Sequence, residues 1–247
     1  MARTKQKALT ESQAIRAIEQ HGILLTFPID NRPQPDSLWS TSYSDKMRWE
    51  WDNNGDDRVA KLWHLRTELS ESRKVVYAKW YQGQATFFSR EAMVALLAFY
   101  ETSKIEHAIE IPGLSSEAKQ ILEVLEMNSP QSTKQIKLAT ELRGKFFERT
   151  YERAMKSLWS ALRIVGFGEF DDGAFPSLGI GATHTLFEDL WEESKCLRPS
   201  QAHEFLQAKL GVDSLFLKFI YKTAKDVKPL TLNRTQDQSV SRARTIF

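Results

Sequence analysis

Glu50 and Asp52 stand one residue apart within RWEWDNNGDDRVAKLW (Arg48 to Trp63), between Trp49, Trp51 and two further aspartates, Asp56 and Asp57. Paired carboxylates do acid–base work when their surroundings split their pKa values, so that one gives a proton and the other takes it. Trp49 or Trp63 could stack a base displaced from a duplex beside them. A calcium loop is excluded. Counted from Asp52, the sixth position is Asp57 rather than glycine, and the twelfth is Trp63 rather than glutamate. Asn54-Gly55 is a turn signal. Asp56 or Asp57 then precedes Val59, Leu62, Trp63 and Arg66, which follow helical spacing, and an aspartate there can cap the first turn. The stretch reads as a turn that starts a capped helix, with Glu50 and Asp52 kept as the candidate catalytic acids.

The second set of candidate residues is basic. Ser132 to Arg163 holds eight Lys or Arg and three Glu, a net charge of +5, whereas Gly168 to Glu193 has seven acids and no Lys or Arg. The whole chain carries only +2, so the information lies in the separation of charge. From Phe147 to Arg163, Tyr151, Ala154, Met155, Leu158, Trp159 and Leu162 fall on one helical face. Arg149, Glu152, Arg153, Lys156, Ser157 and Ser160 fall on the other, with Lys145 at the approach. Cations in such a row neutralise phosphates and release counterions. Lys74 and Lys79 flank Tyr77, Trp80 and Tyr81, aromatics that could stack on bases or belong to the core. Nucleic-acid candidates are therefore Lys145, Arg149, Arg153, Lys156, Lys74 and Lys79. A basic row opposite an apolar stripe is also what any solvated helix face looks like, so a protein-contact role stays open.

The elements that must position these residues are legible in part. Thr10 with Gln13 forms a capping box for a first helix that Gly22 ends. ILLTFPI reads as a short buried strand and DNRPQPDS as a proline-rich loop. Val75 to Phe88, turning at Gln82-Gly83, reads as a hairpin, and Ser89 caps a helix to Tyr100. Helices are predicted from Ser115 or Ser116, from Ser132 or Thr133 to near Gly144, and from Phe147 to Arg163. A strand Ile164 to Phe167, the turn Asp171-Asp172-Gly173 and a return strand follow. Three helices and a hairpin make a winged helix-turn-helix, whose third helix can enter the major groove. Its wing carries Glu169, Asp171 and Asp172, which phosphate would repel. Ser200 is expected to cap a helix to Leu210, and Asp213 or Ser214 to start another.

The predicted fold class is mainly α with small β-hairpins, built as tandem winged helix-turn-helix units. The expected organisation is a flexible start (1–9), an N-terminal winged-helix-like region (10–112), a central winged helix (113–195), a helical extension (196–228) and a flexible tail (229–247). With 41% hydrophobic residues, a 247-residue chain can build a real core. One cysteine, Cys196, excludes an internal disulfide framework and reads as packed or inert. No apolar run is long enough to span a membrane, and a cytoplasmic, intracellular protein is expected. The five histidines are dispersed without zinc spacing, and no phosphate-binding glycine loop occurs, so no metal and no cofactor are expected.

Several stretches together carry a resemblance. GILLTFPIDNRPQPDSLW (Gly22 to Trp39), LWHLRTELSESRKVVYAKWYQGQATFFS (Leu62 to Ser89) and the helix-to-wing segment resemble the AlkZ-related winged-helix proteins, over roughly the first 190 residues. These are relatives of the YcaQ-type DNA glycosylases that unhook interstrand crosslinks. The resemblance implies tandem winged-helix units curved around a DNA-binding concavity and a link to DNA repair. The active glycosylases carry a Gln-x-Gln or Gln-x-Asp pair that positions water. The matching stretch here, LLTFPID, gives Thr26, Phe27 and Pro28 instead, and Phe and Pro cannot activate water. Gln82-Gly83-Gln84 has the right letters but lies in the predicted hairpin turn. The expected function is binding of double-stranded DNA, associated with repair and without glycosylase activity. The alternatives are a divergent glycosylase acting on alkylated or crosslinked bases, and a protein–protein interaction module.

Overall fold

A computed structural model describes residues 8–48, 57–105 and 114–225. The chain begins with helix α1 (Glu11–His21), strand β1 (Ile23–Leu25), helices α2 (Leu38–Ser42) and α3 (Arg58–Glu71), and the hairpin β2 (Val75–Lys79) and β3 (Ala85–Ser89). Helix α4 (Arg90–Ile105) follows. The same order of elements then returns as α5 (Ser116–Met127), β4 (Gln131–Ser132), α6 (Thr133–Ala139), α7 (Glu148–Ser160) and the hairpin β5 (Ile164–Phe170) and β6 (Ser177–Ala182). Helices α8 (Thr183–Leu186), α9 (Glu188–Cys196), α10 (Pro199–Leu210) and α11 (Leu215–Lys225) complete the described chain.

The expectation of a mainly α chain with small hairpins holds in part, because the two hairpins join in one sheet. Among the described residues the fold is mixed, with eleven α-helices around one six-stranded sheet of order β1-β3-β2-β5-β6-β4. Every strand pairing in that sheet is antiparallel. In each block the short first strand pairs with the last strand of the hairpin, so the order reads the same from either edge. The blocks join at one register pair, Tyr77 opposite Gly166. A side chain at Gly166 would collide with the Tyr77 ring, so the close approach needs glycine. Just beyond, Gly168 takes φ +66° in a bulge between Gly166 and Glu169, and its N–H donates to Ser70 Oγ at 2.9 Å. Helix α3 also packs on β5, and α7 packs on β2, so each third helix reaches the other block.

Side-chain caps account for at least five of the eleven helix starts among the described residues. Capping boxes open α1 at Thr10, α2 at Ser37 and α6 at Ser132. Ser115 accepts from Ala118 N–H and Ser89 from Ala92 N–H. Two expected caps differ. Asp57 precedes α3 but makes no side-chain cap bond; its carboxylate takes Lys61 Nζ at 2.6 Å instead. Helix α10 is opened by Arg198 with Pro199 in its first turn rather than by Ser200, because proline needs no hydrogen-bonded N–H there.

Strand alternation divides the core. Leu24, Val75, Tyr77 and Phe87 face α1, α2 and α3, where Ile18, Trp39, Leu62 and Leu69 pack. Val76, Ala78 and Phe88 face a larger cluster built from α4, α5, α7, α9, α10 and α11. Tyr77, Trp80 and Tyr81 are all buried. Trp80 and Tyr81 pack edge-on or tilted against Phe216 and Phe219 of α11. These aromatics are core, and a base-stacking role for them is overturned by their burial.

Candidate nucleic-acid interface

Helix α7 takes its place because one side is apolar. Tyr151, Ala154, Met155, Leu158 and Trp159 are buried. The chain enters through Glu141 at φ +56° and Gly144 at φ +87°, a tight turn that leaves Lys145 exposed. The helix stops at Ser160, three residues before its predicted end, as Leu162 adopts φ +52°. Arg163 consequently leaves the basic surface. It is buried, with its guanidinium 5.1 Å from the Trp191 ring centre.

On the outer side of α7, Arg149, Glu152, Arg153 and Lys156 are exposed. Among the described residues, Lys145, Arg149 and Lys156 make no ion pair. The acid at the helix start is already engaged, since Glu148 takes Lys137 Nζ at 2.8 Å. Arg153 faces Glu117 of α5. That carboxyl is held below its usual range first by its own backbone amide and the Ser115 hydroxyl, and in smaller part by Arg153.

Two of the three acids of the β5–β6 hairpin are engaged within the protein. Glu169 pairs with Arg66 of α3. Asp172 accepts from Ser132 Oγ and, at 2.7 Å, from Ser177 Oγ. Those two hydroxyls hold its pKa below the usual carboxylate range, and Lys134 adds a smaller effect. Lys134 Nζ also donates to the Asp172 carbonyl at 3.1 Å. Asp171 alone of the three stays exposed without a described partner. Arg66 therefore offsets the charge of Glu169, whereas Asp172, held by neutral hydroxyls, stays ionised.

Four of the six candidate cations, Lys145, Arg149, Arg153 and Lys156, come together along one helix and its approach. Lys74 and Lys79 stand at either end of β2 and do not share that face. Lys74 is exposed and donates to Glu11 at 3.2 Å. Burial pushes the Lys79 amine below the usual lysine range, and the charge of Arg66 adds to the shift.

Arg66 is the residue that sequence reasoning passed over. It is only 4% exposed, paired with Glu169, with its guanidinium 4.3 Å from the Trp63 ring centre and 5.6 Å from that of Tyr77. An arginine on the apolar stripe of a helix was the available signal, because such a charge needs a buried partner. Glu50, Asp52 and Trp49 lie outside the described residues, so the acid pair has no geometry to report. Cys196 is exposed rather than packed. His21 lies 3.6 Å from Asp36, and His203 shares a 2.7 Å hydrogen bond with Tyr221. Among the described residues no group of three or more His, Cys, Asp or Glu could hold a metal. No described helix is long and apolar enough to cross a membrane.

A family model described as AlkZ related matches residues 8–212, which takes in both blocks, the row on α7 and helix α10. The chain belongs to the AlkZ-related family. That membership relates it to the glycosylases of DNA repair. No curated protein and no solved structure matches the chain. In this AlkZ-related protein, the stretch after β1 is closed to solvent at its polar position. Thr26 is fully buried, its N–H donates to the Ala85 carbonyl at 2.8 Å, and its hydroxyl has no hydrogen-bond partner among the described residues. Pro28 is buried beside it, and Asp30 is exposed 3.5 Å from Arg32. Gln82 and Gln84 lie exposed at the turn between β2 and β3.

Proposed function

We propose that this AlkZ-related protein binds double-stranded DNA in a repair context, through α7 as the third helix of a winged helix-turn-helix. In this reading residues 113–195 form the DNA-contacting unit, residues 10–112 form a second unit of the same kind in tandem, and residues 196–228 are a helical extension. One observation carries the proposal: the exposed row Lys145, Arg149, Arg153 and Lys156, three of whose members hold no counter-charge among the described residues. A helix fits the major groove, and cations along its outer side meet the flanking phosphates. The pairing of Glu169 with Arg66 within the protein favours the same reading.

We further propose that the protein has no glycosylase activity. Activating water for attack on a sugar needs polar atoms that reach the substrate. The single hydroxyl in the stretch compared with the family's glutamine pair, that of Thr26, is enclosed. Titration of a labelled duplex at two salt concentrations tests the binding. Affinity should fall steeply with salt, by a log–log slope of about −0.9 per phosphate neutralised. Binding that ignores salt, or that survives Arg149→Ala with Arg153→Ala unchanged, contradicts the proposal.

A second reading, divergent glycosylase action, is favoured by Trp63, an exposed residue whose ring is backed by Arg66. A displaced base could stack there, with Glu50 or Asp52 as the polar group. It predicts abasic sites in alkylated DNA that vanish on Glu50→Gln or Asp52→Asn.

A further inference from the structure

The turn that delivers α7 also sets two phenylalanines outside the core. Phe146 is 88% exposed and Phe147 is 37% exposed. The cause is local. Leu142 turns inward and is buried, Gly144 then takes φ +87°, and the Phe147 N–H donates to the Gly144 carbonyl at 3.1 Å. This tight loop fixes Phe146 on the solvent side, next to the first turn of α7. The two rings meet edge to face, with centres 5.1 Å apart and planes at 89°. Neither ring carries a Lys or Arg over its face among the described residues. Phe147 packs against Phe146 from one side, and no other aromatic or cationic group covers the Phe146 ring among the described residues.

The sequence neighbours of this pair are cations. Lys145 directly precedes Phe146, and Arg149 lies on the first turn of the helix that Phe147 leads into; both are exposed and free of described ion pairs. An exposed aromatic platform among cations suits a strand that offers base faces and phosphates together. An intact duplex offers phosphates but keeps its base faces stacked inside, and prising a paired base out costs unstacking energy. A base that is already unpaired has the smallest such cost.

We propose that Phe146, braced by Phe147, is a stacking site for an unpaired nucleobase, so that the protein prefers DNA with a locally opened strand over a perfect duplex. The proposal rests on DNA binding by α7 and adds the structure of the DNA that is bound. Charge complementarity decides for nucleic acid over an apolar protein partner, because the cations beside the rings would be desolvated without a counter-charge against a protein.

The test uses the full chain and two fluorescent probes, a perfect duplex and the same duplex with a central unpaired thymine bubble. A third copy of the bubble carries 2-aminopurine, whose emission falls when it stacks. The bubble should bind about tenfold more tightly than the duplex, the value expected for one base–aromatic stack. Phe146→Ala should remove that preference and the 2-aminopurine quenching while keeping the duplex affinity and its salt slope. Phe146→Trp should retain both. Because Phe146 is so exposed, the alanine variant does not disturb the core. Equal affinity for the two probes in the unaltered protein overturns the proposal. So does a Phe146→Ala protein that still prefers the bubble, or one that loses duplex and bubble binding equally. If the unaltered protein binds neither probe in a salt-dependent way, the DNA-binding reading itself falls, and the stacking site with it.

Discussion

Helices α3 and α7 hold the same place in the two blocks. Each follows a short helix and runs into a hairpin that joins the shared sheet. Their solvent sides are different. On α7 three cations, Arg149, Arg153 and Lys156, stand with one free acid, Glu152. On α3 the exposed residues are Lys61, Trp63, His64, Glu68 and Glu71, and Lys61 is already paired with Asp57. The arginine that could have matched the α7 row, Arg66, points inward and is neutralised by Glu169 of the other block. One order of elements thus serves two ends. Both third helices reach the other block, but the inward arginine of α3 is held in an ion pair across the join, whereas the solvent side of α7 is left basic. Position in the fold does not by itself make a nucleic-acid contact; in the proposed reading, the free charge at that position would.

The largest effect should come from the tie itself. Glu169→Ala strands the Arg66 guanidinium, which is 5% exposed, without its partner, and should cost about 3 kcal/mol of stability. Thermal unfolding checks this, and a Tm unchanged from the parent would mean that Arg66 is not held by this pair. Next comes binding. Arg149→Ala with Arg153→Ala should weaken duplex affinity by roughly tenfold or more and lower the salt slope by about two. The matched change in the first block, Lys61→Ala with His64→Ala, should shift affinity by less than about twofold, as expected for residues outside the contact. Equal losses from the two pairs would break the distinction between the helices.

The contrast was only half visible in the sequence. The α7 stripe and its basic outer row were legible because both are local and repeat at helical spacing. The capping boxes at Thr10 and Ser132 were legible for the same reason. The joined sheet was not, since it depends on one contact between residues far apart, Tyr77 and Gly166, which no periodicity reports. Helix α2, which follows the proline-rich loop, was hidden because it is five residues long with serine rather than glutamate or glutamine in its capping box. Strand β4 is two residues long, too short for any alternation to show. Helices α8 and α9 passed unread within the acidic segment. The internal engagement of Glu169 and Asp172 could not be foreseen, because their partners Arg66 and Ser132 come from elsewhere in the chain.

Two smaller effects sharpen the comparison. Glu68→Lys should raise duplex affinity by no more than about threefold at low salt, since a new exposed charge acts only through a screened field unless α3 meets DNA directly. A larger gain would place α3 within the interface. Acid sensitivity should track the β5–β6 hairpin. The Asp172 pKa is depressed in the folded protein by Ser132 and Ser177, so its contribution to stability is present above the ordinary aspartate value and is lost as pH falls below it. Denaturant unfolding of Asp172→Asn below about pH 4 should therefore weaken less steeply with acid than that of the parent. Parallel acid limbs would show that the carboxylate is not engaged as described.

The most direct measurement is protection of lysines from acetylation, read residue by residue by mass spectrometry with and without duplex DNA. The account predicts that DNA shields Lys145 and Lys156 and leaves Lys61 as reactive as in the free protein. Shielding of Lys61 with Lys145 and Lys156 still modified would contradict it.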